Sequence, residues 1–137
     1  MADLAFSTGD VAPVQIIESF TGPCDEAVTP GQVVRFSTST GKITSAKGTE
    51  SAETGNLRGV CIGTAVAASL TVTAVKRGIL NMGTALGGLD YDAAVYLSNT
   101  DGKLATAAGS VSTVIGYVCP AWGVGTAVSD KLLYVAM

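Results

Sequence analysis

A strand–turn–strand unit that occurs twice is the feature that most constrains the fold of this 137-residue chain. Residues 30–44 align with residues 91–105, which brings Gly41 onto Gly102. In both copies an apolar strand ends at a serine, a polar turn closes on the glycine, and an isoleucine or leucine returns to the core. Glycine suits the end of such a turn because it adopts a positive φ at little cost. The sequence therefore predicts two related hairpins around one core.

Each copy continues through a loop into an apolar strand that carries a glycine, at Gly59 and at Gly116. These two glycines are closer in sequence than Gly41 and Gly102 are, so the loop of the first copy is four residues longer. We interpret the match as an internal duplication covering about residues 30–65 and 91–120. The alternative is that glycine–lysine hairpins recur in this chain by chance.

The rest of the chain is also typical of a β protein. Its 17 glycines, with many threonine and valine residues, favour strands and turns over helices. We predict an all-β fold, a compact β-barrel or sandwich of two related strand–turn–strand halves, in a single domain over residues 14–137. Strands are predicted over residues 14–18, 32–37, 42–45, 59–65, 70–75, 78–81, 94–98, 103–106, 111–120 and 131–136.

Residues 1–13 show no strand or helix periodicity and are predicted to form an extended N-terminal arm that a partner orders. The candidate partner-binding residues are four apolar residues at this end of the chain and one tryptophan, namely Leu4, Phe6, Val11, Val14 and Trp122. The tryptophan stands between proline and glycine residues, which favours a surface loop, although a place in the core is the alternative.

Composition excludes several classes of function. Hydrophobic residues make up 47% of the chain and charged residues only 14%, which is too apolar for a disordered protein and favours surfaces that meet other proteins. The net charge is −3 and the basic residues are scattered, so a nucleic-acid partner is not expected. No apolar run reaches the length of a membrane helix, and the first residues lack the basic start of a signal peptide, so we expect no membrane partner and synthesis in a cytosol.

The sequence offers little material for catalysis. It contains no histidine, which removes the usual general base and most zinc sites, so we predict no enzyme activity, no metal and no cofactor. The three cysteines are widely spaced and are interpreted as buried free thiols. One acidic group has a spacing that would allow calcium binding if its hairpin folded back, although turn chemistry explains it better: Asp90, Asp92, Asn99 and Asp101.

The second copy carries a resemblance to a known family. Residues 92–104 and 114–118 resemble the pattern G-D-x-V-Y-L-s-x-x-G-K-L…V-I-G-x-A of the head decoration, or capsid cement, proteins of tailed phages. Residues 58–65, 70–75 and 77–80 are similar to a second segment of that family. The chain departs from the pattern at Tyr91, and it has cysteines where small residues are usual.

The resemblance implies a β domain on the outer surface of the phage head, made in the bacterial host cytoplasm. Its partner would be the major capsid protein, and the protein would be a homotrimer that stabilises the capsid of the virion as a structural protein. The alternative function is a fibre-associated carbohydrate- or receptor-binding β module, which needs exposed aromatic residues. An enzyme is the third and least favoured class, because histidine is missing.

Overall fold

The computed structural model describes residues 3–46, 57–121 and 131–137. It shows an antiparallel sheet that curls strongly into a half-barrel, which confirms the predicted all-β class. The helical structure in the described residues is one short 3-10 turn at Thr8–Asp10. The strands in these ranges are β1 (Val11–Pro23), β2 (Val33–Phe36), β3 (Ile43–Ser45), β4 (Leu57–Cys61), β5 (Thr71–Met82), β6 (Ala94–Leu97), β7 (Leu104–Ala105), β8 (Val114–Pro120) and β9 (Lys131–Ala136).

The order of the strands in the sheet follows the sequence repeat. The order is β3-β2-β4-β5-β9-β8-β6-β7, and β1 pairs with β5 off this path. In chain order, β2 to β5 form one series and β6 to β9 form a second, and each series has the same internal arrangement. We call β2, β3, β4 and the start of β5 the first half, and β6 to β9 the second half.

The hairpins of the two halves have the same register. Phe36 pairs with Ile43 in the first hairpin, and Leu97 pairs with Leu104 in the second. The turns also match, because a serine N–H donates to a lysine carbonyl in each, over 2.7 Å in the first and 3.0 Å in the second. The glycines that close the turns have φ values of 71° and 72°.

The third strands match as well, including an irregularity. Val34 pairs with Gly59 and Val95 with Gly116, and in both halves the register shifts immediately afterwards. A Cβ atom on Gly59 would lie 2.9 Å from the Val75 carbonyl oxygen, and one on Gly116 would overlap the carbonyl oxygen of Tyr134. The glycines are therefore required because the neighbouring strand passes too close for a side chain.

Strand β5 pairs with strands of both halves. Cys61 pairs with Ala74 at its start, as Val118 pairs with Leu133 in the second half. The later part of β5, Arg77 to Leu80, pairs with β9. Because β1 runs along β5 from end to end, β4 and β9 share the opposite edge of β5.

Strand β1 pairs with β5 in the same register in which β5 pairs with β9. Phe20 pairs with Ala74, and Leu80 pairs with Leu133, the counterpart of Ala74. Phe20 therefore corresponds to Leu80. Strands β9, β5 and β1 therefore occupy equivalent pairing positions, and β1 is the outermost of the three.

Two apolar clusters stabilise the sheet. The larger one lies between the halves and contains the residues Leu4, Val11, Val33, Ala46, Val60, Val75, Leu80, Met82, Leu86, Val95, Leu97, Leu104, Ile115, Val118, Leu133 and Val135. The smaller one packs the segment around Cys24 and Val28 onto the other face of the first half, and its remaining members are Val34, Ile43, Cys61, Ala65, Val72 and Ala74. Burial of these side chains is the main stabilising contribution.

Two predicted strands are one. The sequence predicts separate strands over residues 70–75 and 78–81, but β5 runs through both. Gly78, which directly follows the predicted break at residues 76–77, lies where the β1 backbone passes so close that a Cβ atom would overlap the Gln15 carbonyl oxygen. The glycine therefore permits close strand pairing here.

The N-terminal residues also differ from the prediction. Residues 3–13 are expected to belong to an extended arm ordered by a partner, yet they pack on this domain. Leu4 is 7% exposed and its N–H donates to the Leu104 carbonyl over 2.8 Å, and Asp3 accepts a hydrogen bond from Ser98. The reason is that the apolar side chain of Leu4 completes the large cluster.

Candidate interaction surfaces

One face of the sheet is buried in the first half and partly exposed in the second. Residues that pair directly across antiparallel strands place their side chains on the same face. In the first half the paired row is Val33, Val60 and Val75, and all three are fully buried in the large cluster. The corresponding row of the second half is Ala94, Tyr117 and Tyr134.

This second row faces outward. Tyr117 is 41% exposed, and Ala94 and Tyr134 are half-buried. Tyr96 lies two residues along β6 from Ala94, on the same face, and pairs with the exposed Val114. We call Tyr96, Val114, Tyr117 and Tyr134 the tyrosine face. Tyrosine is enriched in protein interfaces because it combines a large apolar ring with a hydroxyl group.

The second exposed apolar surface is strand β1. Residues 12–19 are all exposed, including Ile16 at 45% and Ile17 at 54%, so neither face of this stretch is covered. Among the described residues β1 pairs only with β5, which leaves its other edge open. Val14 and Ile17 are skipped in the register with β5 and form bulges.

The structure places the predicted partner-binding residues in different environments. Leu4 and Val11 are buried in the large cluster, and Phe6 packs partly buried against it. These three therefore pack within this domain in this conformation, and their role in partner binding stays a prediction. Val14 is exposed at 37% on β1, and Trp122 lies outside the described residues.

Two aromatic rings mark the boundary of the small cluster. Phe20 and Phe36 meet edge to face with ring centroids 5.4 Å apart, and the Arg58 guanidinium lies 5.4 Å from the centroid of the Phe36 ring. Phe36 is 40% exposed. The arrangement covers one end of the small cluster, and the cation–π contact keeps the charged group in water.

The cysteines are free thiols, as predicted. Cys24 and Cys61 are buried and Cys119 is partly buried. Burial raises the pKa of the Cys61 thiol and also that of Cys119, so both are protonated at neutral pH. A protonated thiol is a poor nucleophile.

The acidic residues considered for calcium serve the hairpins in this structure. The Asp101 carboxylate lies 2.9 Å from the Ser45 hydroxyl, whose single proton it shares with Glu26, and Asn99 accepts a hydrogen bond from the Ser110 N–H over 2.9 Å. Asp92 adopts a φ of 65°, at the position that corresponds to Gly31 with a φ of 92°. Across residues 3–46, 57–121 and 131–137, no three acidic or cysteine side chains converge as metal ligands would.

Glu26 is a carboxylate with a clear structural task. It accepts hydrogen bonds from the Ser45 N–H, the Ser45 hydroxyl and the Thr44 hydroxyl, over 2.7–2.9 Å. Burial alone would raise the pKa of Glu26, but these hydrogen bonds outweigh it and hold the pKa below its usual value. The ionised carboxylate thus ties the segment after β1 to strand β3.

A shallow cavity lies beside the N-terminal residues, between Leu4, Phe6, Pro30 and Gly102. Its volume is about 60 Å³. Small-molecule sites usually measure about 300–1,000 Å³, so this cavity is too small for a substrate or cofactor. The surfaces that remain as candidates are the tyrosine face and β1.

Sequence reasoning missed the tyrosine face, although the repeat alignment contains its signal. When Gly59 is set against Gly116, Val60 aligns with Tyr117, an aliphatic residue against a tyrosine. Such a change at a matched strand position indicates that the position is buried in one half and reaches solvent in the other. The sequence contains no comparable signal for the bulges of β1.

A scan for helices long and apolar enough to cross a membrane found none in the described ranges. Comparison of the chain with protein-family models, with curated proteins and with solved structures found no match.

Proposed function

We propose that this chain is a structural phage capsid decoration (cement) protein. It binds the outer surface of the major capsid protein lattice and stabilises the head, after synthesis in the host cytoplasm. The sequence resemblance in residues 92–104 and 114–118 supports the family. The observation that carries the binding function is the tyrosine face.

The tyrosine face supports a protein-binding function because its counterpart in the first half is buried. Val60 is fully buried, whereas Tyr117 at the same position is exposed. A folded domain gains nothing in stability by exposing an aromatic ring on an otherwise regular sheet. Tyr117 and the half-buried rings of Tyr96 and Tyr134 supply a rigid, partly apolar surface, the kind of surface on which interface hot spots form.

The mechanism of stabilisation needs no chemistry. Each copy would bury the tyrosine face against neighbouring capsid subunits, and many such contacts on a symmetric lattice add up through avidity. The low charged fraction of 14% suits close contact with protein, since few charges would have to lose their hydration. No catalytic residue and no cofactor enter this mechanism.

The test is binding to expanded capsid shells that lack the protein. Purified wild-type protein should co-sediment with the shells, and images of the particles should show added density at one symmetry position. Tyr117→Ala should weaken binding about 10-fold to 100-fold, the range for an interface hot spot. Val66→Ala is the matched control, because Val66 is 78% exposed and lies away from the tyrosine face.

Shells that bind both variants equally would exclude the tyrosine face as the docking surface. Shells that bind no protein at all would exclude the decoration function itself. As a second expected result, loaded shells should break at a higher temperature than bare shells.

The exposed Tyr117, with the half-buried Tyr96 and Tyr134 beside it, also favours the second candidate, a fibre-associated carbohydrate- or receptor-binding β module. Sugar rings stack on exposed aromatic side chains through their apolar faces. A glycan array with wild-type protein and Tyr117→Ala distinguishes the two functions. Specific glycan binding that disappears in the variant, without binding to shells, would replace the capsid proposal.

A further inference from the structure

The open edge of β1 is the feature that the proposed function does not use. Strand β1 has 13 residues, contains a single charged residue, Glu18, and exposes apolar side chains on both faces. A long apolar edge is a template for strand pairing, which proteins usually cover or protect. Glu18 already has a partner, because Lys76 lies 3.5 Å from its carboxylate.

The internal repeat of the sheet indicates what fits this edge. Because Phe20 corresponds to Leu80, β1 occupies the same position in the series as β5. In the fold, the outward edge of β5 receives β1 as an antiparallel strand. The equivalent edge of β1 is therefore suited to receive another β1, which only a second copy of the chain can supply.

The register of that pairing can be derived from the register of β1 on β5. Ser19 pairs with Val75, and the alignment that sets Phe20 against Leu80 sets Gln15 against Val75. Transferred to β1, the pairing places Ser19 of one copy opposite Gln15 of the other. The same rule places Gln15 opposite Ser19, so the arrangement has twofold symmetry and is centred on Ile17.

We infer that β1 pairs antiparallel with β1 of a second copy, with the two Ile17 residues facing each other at the twofold axis. In this register Val14 lies opposite Phe20, which is an apolar pair. Glu18 lies opposite Ile16, so the carboxylates of the two copies are not placed opposite each other. The two Glu18 carboxylates become diagonal neighbours across the axis, and each has Lys76 of its own copy beside it at 3.5 Å.

Symmetry limits the assembly to two copies. Each chain offers one open edge of β1, and a twofold contact uses both edges, so no further strand can add. The dimer would form a continuous sheet across both molecules. It differs from the trimer that the family resemblance implies, so the two assemblies are distinguishable by mass.

The size of the contact predicts a weak dimer. Thirteen residues at about 3.3 Å each make an edge about 43 Å long, and a sheet is about 10 Å thick, which gives roughly 400 Å² per copy. Stable interfaces bury about 800 Å² per copy, so we expect a weak dimer with a dissociation constant of roughly 10–100 µM. Salt should change it little, because one charged residue lies on the strand.

The experiment is sedimentation of the full chain in the absence of capsids, over about 5–500 µM, a range that spans the expected constant. Wild-type protein should shift from monomer towards dimer as concentration rises. Ile17→Glu and Ile17→Lys should each remain monomeric, because like charges then meet at the axis. An equimolar mixture of the two variants should form a dimer again, since glutamate then faces lysine.

Two controls separate pairing from misfolding. Val66→Glu introduces the same charge at an exposed position outside β1, between β4 and β5, and should dimerise like the wild type. All variants should keep the wild-type melting temperature, because Ile17 is exposed. A wild-type protein that stays monomeric, a trimer, or a mixture that stays monomeric would each overturn the inference, whatever the result with capsid shells.

Discussion

The two halves of the molecule make the same backbone pairings, but the first half buries both faces of its strands and the second half buries one. Their hairpins, third strands and bulged glycines match residue by residue in the register of the sheet. The difference is that Val60 packs into the core between the halves, while Tyr117 at the same position faces solvent. Backbone register is therefore common to both halves, whereas the role of a face depends on what lies against it.

The segments that lead into each half explain this difference in burial. In the first half, residues around Val28 cover the face opposite to Val60 and form the small cluster. In the second half, the corresponding segment around Leu86 packs into the large cluster. Each half thus has its connection on the same face of its strands, and the curl of the sheet leaves the other face of the second half uncovered.

The largest expected effect tests the shared backbone. Gly116→Ala should destabilise the fold by about 3–5 kcal/mol, because its methyl group would overlap the Tyr134 carbonyl and force the strands apart. Gly59→Ala, with a 2.9 Å contact, should cost less, about 2 kcal/mol. Urea unfolding measures both. Gly9→Ala is the control, as its Cβ would contact nothing within 4 Å.

The second prediction compares the two halves at one matched position, Val60 and Tyr117. Val60→Ala should lower the free energy of unfolding by about 2–3 kcal/mol, because it leaves a cavity in the large cluster. Tyr117→Ala should change it by less than about 1 kcal/mol, because that ring is exposed. Equal losses in urea unfolding would show that Tyr117 is as much a core residue as Val60.

A third prediction concerns the N-terminal residues. Removing residues 1–10 deletes Leu4 from the large cluster and should destabilise the fold by about 2–4 kcal/mol. A separable arm would instead leave the melting curve unchanged. Leu4→Ala should reproduce most of the loss, whereas Asp3→Ala removes only the hydrogen bond from Ser98 and should cost about 1 kcal/mol.

The smallest expected effect comes from Glu26, which has no acidic counterpart in the second half. Its pKa is lowered in the fold, so its contribution is present above the unfolded value of 4.5 and is lost as the pH falls through the lower folded value. Glu26→Gln should cost about 1 kcal/mol at pH 7. Unfolding curves from pH 7 to pH 3 should show the difference from wild type shrinking in acid, and a constant difference would contradict this role.

Much of the fold was predictable from the sequence because the relevant signals are local. The glycine–lysine turns, the alternating apolar residues and the offset between the copies identify the hairpins and their register. The predicted break at residues 76–77 was wrong, because a glycine at the start of a strand and a glycine that lets another strand approach look the same in sequence.

The sequence by itself determined that this chain is a histidine-free, all-β protein with a doubled hairpin, since residue type and spacing alone encode those properties. Only the tertiary structure decided which copies of a matched position are buried. Val60 and Tyr117 occupy equivalent places in the third strands of the two halves, and the curl of the sheet covers one and exposes the other. Long-range packing sets that difference, because burial depends on which distant strands lie against a face.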